Sequence, residues 1–292
     1  MSARVVARAE AGESVVPGEF PLRRDDFRRI AEMIHADAGI SLNESKAALV
    51  YARLAKRLRA LKMQAFCDYC DLVDSPEGEA ERNEMLTSLT TNVTRFLREP
   101  HHFEHLTSHI LRPFLDRGAR GRLRLWSAAC STGQEPYSMA FALLTVWPDA
   151  VNHDARILAT DVDRKVLATA EEGTYGEAQM EGLTSELRRR FTEPAGAGQF
   201  RVVAAVRKLI AFRQLNLVES WPMQGQFQAI FCRNVVIYFD EPTQQNIWEK
   251  FTPRLRPEGA LYIGHSERVT GPAVALLRSE GVSSYRQAGT AR

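Results

Sequence analysis

The sequence predicts an α/β protein built on a doubly wound parallel sheet, with a small all-helical domain ahead of it and a small antiparallel insert within it. In Leu123-Arg124-Leu125-Trp126-Ser127-Ala128-Ala129-Cys130-Ser131-Thr132-Gly133-Gln134-Glu135-Pro136, an alternating apolar run gives way to small residues and then to a proline suited to a helix's first turn. Strand, tight loop and helix in that order bring a nucleotide-like ligand against backbone at a strand's carboxyl end. Arg156 to Asp163 is a second buried strand, ending in acids, and Phe227 to Cys232 is another, running into Arg233-Asn234. The first 90 residues instead carry helical periodicity.

Composition sets outer limits. With 292 residues, 45% of them hydrophobic and 25% charged, the chain suits a soluble globular protein of two domains, or of one with an insertion. No apolar run approaches the roughly 18 residues of a membrane span, and the opening residues lack a signal-peptide core, so a cytoplasmic protein without direct membrane insertion is expected. Four cysteines, Cys67, Cys70, Cys130 and Cys232, are too few for a disulfide framework in a chain this long.

Residues 1–20 show no periodic apolar face and are expected to form a mobile arm. A helix over 25–35 puts Phe27, Ile30, Ala31 and Ile34 on one side and closes at Gly39. A second, over 43–61, stripes Ala47, Tyr51, Leu54, Leu58 and Leu61 on one face. Its other faces carry Lys46, Arg53, Lys56, Arg57 and Arg59, which read either as solvated surface or as a docking face for an acidic partner. Helices over 66–73 and 79–89 complete an all-α domain at 21–90. From Pro21 to Lys62 ten basic residues face five acids, whereas Met63 to Thr90 has one arginine against seven acids. Blocks of this kind mark faces that meet different partners, or solvated helices.

Leu89-Thr90-Thr91-Asn92-Val93-Thr94-Arg95-Phe96-Leu97-Arg98-Glu99-Pro100 reads as a linker, 91–100, that lines a ligand cleft through directed hydrogen bonds, or else as ordinary helix capping. Cys67-Asp68-Tyr69-Cys70 lacks a second cysteine pair at zinc spacing. His101, His102, His105 and His109 lack a carboxylate or cysteine at matched spacing, so no metal site is expected.

In the loop after the first core strand, Ala128, Cys130 and Gly133 stand where a dinucleotide fingerprint has glycines, and no lysine follows. Glu135 at the loop's mouth repels phosphate but suits hydroxyls or a cation. Asp161, ending the second strand, is placed to accept hydrogen bonds from ribose hydroxyls; helix capping is the competing role, and Asp163 could fill it instead. Segments with hairpin punctuation suggest an antiparallel insert at about 189–214, within an α/β domain at 101–292. Asn216-Leu217 closes the third core strand, Asn234 and Tyr238 follow the fourth, and 255–267 forms a helix end, a Pro/Gly turn and a strand.

Together LTTNVTRFLREPHHF, WSAACSTGQEPYSMA, ATDVD, FCRNVVIYFD and LRPEGALYIGHSE resemble the chemotaxis receptor glutamate methyltransferases, the CheR family of S-adenosylmethionine-dependent class I methyltransferases. The resemblance runs from about residue 21 to 286. It implies a helical N-terminal domain, a Rossmann-like catalytic domain and an inserted β-subdomain. By motif position it puts cofactor contacts on Asn92, Thr94, Arg98, Glu135, Asp161, Asn216, Leu217, Arg233 and Asn234. It also implies S-adenosylhomocysteine as product and the acidic cytoplasmic helix bundle of chemoreceptors as partner, met by a monomer. Whether a receptor tail peptide tethers to the β-subdomain is left open.

The residue inventory suits that chemistry. A glutamate, with an ordinary pKa near 4.3, is already a nucleophilic anion at neutral pH, so no general base or metal is needed. Arg98 is placed to orient a carboxylate and Tyr238 to pack beside a sulfonium. Two other readings compete: an RNA or small-molecule methyltransferase, and a non-catalytic S-adenosylmethionine sensor. The first lacks stacking aromatics among the basic residues, so no nucleic acid is expected. Intact Arg98 and Tyr238 weigh against the second.

Overall fold

A computed structural model describes residues 13–90 and 92–288. They form two compact units, one of residues 13–90 with Tyr238–Asp240, the other of 92–237 with 241–288.

In the first unit four helices, α1 (Arg24–Ala38), α2 (Ala47–Leu61), α3 (Phe66–Asp74) and α4 (Glu79–Leu89), follow a short antiparallel pair, β1 (Ser14–Val16) and β2 (Leu22–Arg23). Helix α1 stops where Gly39 adopts φ 70 and its N–H returns to the His35 carbonyl, a conformation that favours glycine. Ile30 and Ile34, Val50, Leu54 and Leu58, Phe66 and Val73, and Met85 supply the buried core. The backbone N–H of Ser41 donates to the Tyr238 carbonyl, and Ile40 bridges Phe239.

Three expectations change here. Residues 1–12 lie outside the described residues, but 13–20 are not an arm: β1 is paired, and Phe20 is buried with the Arg59 guanidinium 5.9 Å from its ring centre. A two-stranded hairpin draws its stability from such tertiary burial, which leaves no periodic trace. On α2 the core stripe is Ala47, Val50, Leu54, Ala55 and Leu58, while Leu61, in the last turn, is exposed. The opposed charge blocks, finally, meet each other. Arg29 pairs with Asp71 at 2.8 Å, Arg82 with Asp37 at 2.6 Å, and Arg57 with both Glu81 and Glu84. Arg53 donates to the carbonyls of Ser88, Leu89 and Thr90, the unsatisfied acceptors at the end of α4. Arg59 reaches Glu19 at 2.8 Å. Lys46 and Lys56 are exposed.

The second unit is a sheet of seven strands in the order β11-β12-β10-β9-β3-β4-β8. Strands β3 (Leu123–Ala128), β4 (Ala155–Asp161), β8 (Ile210–Gln214), β9 (Phe227–Cys232) and β10 (Leu255–Ile263) run parallel, and β11 (Leu277–Gly281) with β12 (Ser284–Gln287) adds an antiparallel edge. Strand order therefore reverses at β3 and β9, which lie side by side. Helix α5 (Pro100–His105) continues through a π-helical turn, Leu106–Leu111, into α6 (Arg112–Asp116). Helices α7 (Gln134–Val146), α8 (Arg164–Glu172), α9 (Ser185–Phe191), α10 (Ala204–Arg207) and α11 (Glu241–Phe251) complete the unit. Strand alternation sorts β3: Leu123 and Leu125 join the core cluster that includes α7, whereas Trp126 turns the other way to Trp221, Phe227 and Phe251.

A separate three-stranded antiparallel sheet, in the order β5-β7-β6, forms from β5 (Thr174–Gly176), β6 (Thr192–Pro194) and β7 (Gln199–Val202). The insert thus begins earlier than 189, and 210–214 is not part of it: β8 pairs with β4 from Ile157↔Ile210 to Asp161↔Gln214. Period-two alternation reveals a strand but not which sheet recruits it. Likewise, Pro257-Glu258-Gly259 makes no turn before a strand; it is an irregularity inside β10, with Glu258 at φ 66 and the register shifting between Leu255 and Ala260. The segment from Asn92 onward belongs to this unit's core. Phe96 is buried, stacks on Phe141 at 5.9 Å and meets Tyr175 edge-on at 5.0 Å, and the Leu97 N–H donates to Ser138 Oγ at 2.9 Å.

Candidate functional site

The carboxyl ends of β3, β4, β8 and β9 define the site, because strand order reverses between β3 and β9 and a doubly wound sheet opens a crevice there. The loop after β3 turns through three residues of positive φ, Ala129 at 65, Ser131 at 49 and Gly133 at 95. Gly133 admits no side chain, since a Cβ would stand 2.8 Å from both Ala170 Cβ and the Tyr175 hydroxyl. The Ser131 N–H donates to Asp161 Oδ2 at 2.8 Å, and the Asp163 N–H to Asp161 Oδ1 at 3.0 Å. Burial pushes the Asp161 carboxyl up to about 6, against those N–H bonds, which favour the ionised form. Asp163 takes the capping role, accepting the Lys165 N–H at 2.8 Å, and Asp161 remains at the loop.

A buried charge network ties β3 to β9. Glu135, at the start of α7, accepts from the Ser127 hydroxyl at 2.7 Å and from Arg233 at 3.1 Å. Arg233 follows β9 with its side chain 2% exposed; it also lies 3.4 Å from Glu99 Oε2 and donates to the Arg98 carbonyl. Burial raises the Glu135 carboxyl, opposed by the Arg233 guanidinium. At Glu99 burial also pushes upward, but Arg233 and His265 outweigh it and hold the carboxyl low. His102, buried and facing Arg233, is lowered to about 3 and is therefore neutral at physiological pH. The histidines do have a carboxylate beside them, contrary to the reading of their spacing: Glu99, His101 and His102 bring potential metal-ligand atoms within 4.8 Å of one another, and the Arg233 guanidinium lies 3.4 Å from the same carboxylate.

The residues nominated from sequence divide by unit. Asn92, Arg98, Glu135, Asp161, Arg233 and Asn234 are brought together along this edge. Asn92 accepts from Ser131 Oγ through its carbonyl at 3.2 Å and donates to Asp163 at 3.4 Å. Thr94 is half-buried in the same segment, and Arg98, also half-buried, donates to the Val93 carbonyl at 3.1 Å. Asn216 and Leu217 follow β8, and the Leu215 N–H donates to the Asp161 carbonyl at 3.0 Å. Asn234 takes φ 58 immediately after Arg233. Tyr238 belongs instead to the helical unit, as do Lys46, Arg53, Lys56, Arg57 and Arg59.

Sequence reasoning missed three supporting residues. Lys250 of α11 donates to the Leu217 carbonyl at 2.6 Å and to that of Glu219, with its ammonium 4.5 Å from the Trp221 ring centre; burial lowers its pKa to about 8. Glu99 stands in the linker motif, where nothing local distinguishes it from a solvated acid. Glu267, within the GHSE stretch, is buried and accepts four backbone N–H groups, from Asn234, Val235, Val236 and Gly264. Burial raises its carboxyl, and those four donors oppose the rise. The only sequence signal was an acid placed three residues after a glycine that closes a core strand.

S-adenosylmethionine presents ribose hydroxyls, an ammonium, a carboxylate and a sulfonium. Glu135 accepts from Ser127 and Arg233, Asp161 from backbone N–H groups, and an ionised carboxylate has four lone-pair positions, which leaves room for a ligand hydroxyl or cation. Arg98 supplies a guanidinium, and the loop to Gly133 has only small side chains and a backbone closed to a Cβ. The donor set therefore fits this group, on a doubly wound sheet whose crevice suits a nucleotide-like ligand. Residues 92–281 match the CheR methyltransferase SAM-binding domain, and residues 25–90 the CheR methyltransferase all-alpha domain. The chain is 51% identical over 258 residues to a probable chemotaxis protein methyltransferase of Rhizobium etli, covering 87% of this chain and 96% of that one. It is 43% identical over 275 residues to chemotaxis protein methyltransferase 2 of Pseudomonas aeruginosa, covering 92% and 95%. With the chemotaxis protein methyltransferase of Escherichia coli it shares 42% identity over 245 residues, 82% and 83% of the two chains. The chain belongs to the CheR methyltransferase family, and S-adenosylmethionine is its cofactor.

Proposed function

We propose that this protein methylates glutamate side chains of chemoreceptors, giving methyl esters in chemotactic adaptation. The observation that carries the reading is the match of both family domains together with near full-length identity to chemotaxis protein methyltransferases. The cofactor supplies an electrophilic methyl on a sulfonium. What the chain adds is alignment, which contributes on the order of 7–11 kcal/mol in well-oriented reactions. Glu135, held by Ser127 and Arg233, offers a fixed negative charge to the cofactor's cationic part, and Asp161 offers acceptors to its ribose. Arg98 orients a carboxylate by charge-assisted hydrogen bonds. Asn92, Thr94, Asn216, Leu217 and Asn234 complete the cofactor contacts in this reading. The incoming glutamate is ionised at neutral pH and gives up no proton.

The reading extends to a cytoplasmic enzyme with an all-α domain, a catalytic domain and a β-subdomain as separate working parts. Its partner is the acidic helix bundle of a receptor. Lys46 and Lys56 are the basic residues of α2 and its approach best suited to docking, because Arg53, Arg57 and Arg59 already serve acceptors within their own unit. The test is chemical. Protein incubated with methyl-labelled S-adenosylmethionine and receptor-bearing membranes should yield label that mild alkali releases as volatile methanol. Label that survives alkali on protein, or appears in RNA, would overturn glutamate esterification.

A further inference from the structure

Three successive N–H groups, of Asn234, Val235 and Val236, converge after β9 on the carboxylate of Glu267, at 3.0, 2.9 and 3.1 Å, and the Gly264 N–H joins them. Consecutive amides gathered round a residue of left-handed φ, here Asn234 at 58, make a concave cradle for an anion. Here the chain fills that cradle with its own side chain, delivered from the end of β10, the strand beside β9. The Glu267 N–H in turn donates to the Gly264 carbonyl at 2.9 Å, closing a tight turn around its own carboxylate. Gly264 has to be glycine, since a Cβ would stand 2.5 Å from Asn234 Nδ2 and 2.8 Å from Glu267 Oε2.

We propose that Glu267 is a positioning residue for the cofactor: it holds the turn after β9 in its ligand-ready shape, and through that turn aims Asn234 and the Arg233 guanidinium that grips Glu135. Arg233 is next in the chain to the first cradled amide, so a turn that relaxes carries its guanidinium away from Glu135, 3.1 Å distant. Without Glu267 the amides of Val235 and the buried Val236 lose their acceptor, and the left-handed Asn234 loses the bond that fixes it. The proposal rests on the reading that Arg233 and Asn234 face the cofactor.

Glu267→Gln keeps the size but turns one oxygen into an NH2 aimed at N–H donors, and Gly264→Ala presses on the same cradle while leaving the carboxylate in place. Both should accelerate amide exchange at 234–236 in the cofactor-free protein. Both should also weaken S-adenosylmethionine binding on the order of 10- to 100-fold in calorimetric titration, as a misplaced positioning group does. Ile247→Ala, at a buried position of the otherwise largely accessible α11, serves as a control that lowers the melting temperature without replacing a residue of the turn, and it should bind the cofactor as wild type does. Accelerated exchange with unchanged affinity in the Glu267→Gln and Gly264→Ala proteins would overturn the proposal, as would unchanged exchange. Arg233→Ala separates the two readings: if it alone weakens binding, only the role of Glu267 falls; if it too binds normally, the placement of the cofactor falls with it.

Discussion

Arg57 and Arg233 have the same partners on paper and different work to do. Each guanidinium pairs with two glutamates, Arg57 with Glu81 and Glu84, Arg233 with Glu99 and Glu135. Around Arg57 the partners share one helix: both glutamates lie on α4, and Glu81 Oε1 also takes the Tyr69 hydroxyl at 2.9 Å. Around Arg233 the carboxylates come from separate segments, and the Glu135 oxygens keep acceptor capacity at the open end of a parallel sheet. An ion pair held between neighbouring helices of one domain ties those helices together, while one drawn from separate segments at the carboxyl ends of parallel strands stands where a doubly wound sheet takes its ligand. Exposure follows the same division, with 26% of the Arg57 side chain accessible against 2% for Arg233.

The comparison breaks most sharply at Arg233→Ala. Removing one partner of a buried pair strands Glu135 and Glu99, so a loss of about 3–5 kcal/mol in urea unfolding is expected, together with loss of measurable S-adenosylmethionine binding. Stability within error of wild type would mean the network is wet and replaceable.

Asp161→Asn keeps the volume but removes the charge, and should weaken cofactor binding by about 1.5–3 kcal/mol in calorimetric titration. It also changes the pH profile. Burial raises the folded carboxyl from 3.8 to about 6, so between those values the folded state holds more protons than the unfolded chain. The contribution of Asp161 to stability is therefore greatest below that window, falls as pH rises through it, and is flat above. Urea midpoints measured across the window should lose this declining component in the Asp161→Asn protein.

Arg57→Ala sharpens the other side. Its pair is part-exposed, so a smaller cost of about 1–2 kcal/mol is expected, confined to the helical unit, with cofactor affinity unchanged. Weaker cofactor binding in a folded Arg57→Ala protein would contradict the division drawn above.

The smallest stability effect belongs to Lys46→Glu with Lys56→Glu, within about 0.5 kcal/mol, because both side chains are exposed. Their effect should appear in rate: methylation of receptor-bearing membranes slows, and the wild-type rate falls with added salt as exposed charges are screened. Normal methylation by the double variant would leave this basic face as solvated surface.

Features encoded in local patterns can be read from the residues alone. The strand, small-residue loop and helix at 123–146, the acid-ended β4, the four N-terminal helices and the family motifs were all legible, since periodicity, small residues and caps act within a few positions of one another. The places of Glu135, Asp161, Arg233 and Asn234 in the fold were legible too, because each stands next to a strand end or a helix start. Which charges meet each other depends on chain packing. Arg57 and Arg233 are equally basic in sequence, and nothing local says that one meets Glu81, 24 residues away, and the other Glu135, 98 residues away. The same holds for Glu267, 33 residues from the Asn234 amide it holds, and for β8, which joined the main sheet and not the insert. Such pairings come from chain reversals that bring distant segments together, and their strength depends on burial, which a sequence shows only after it has folded.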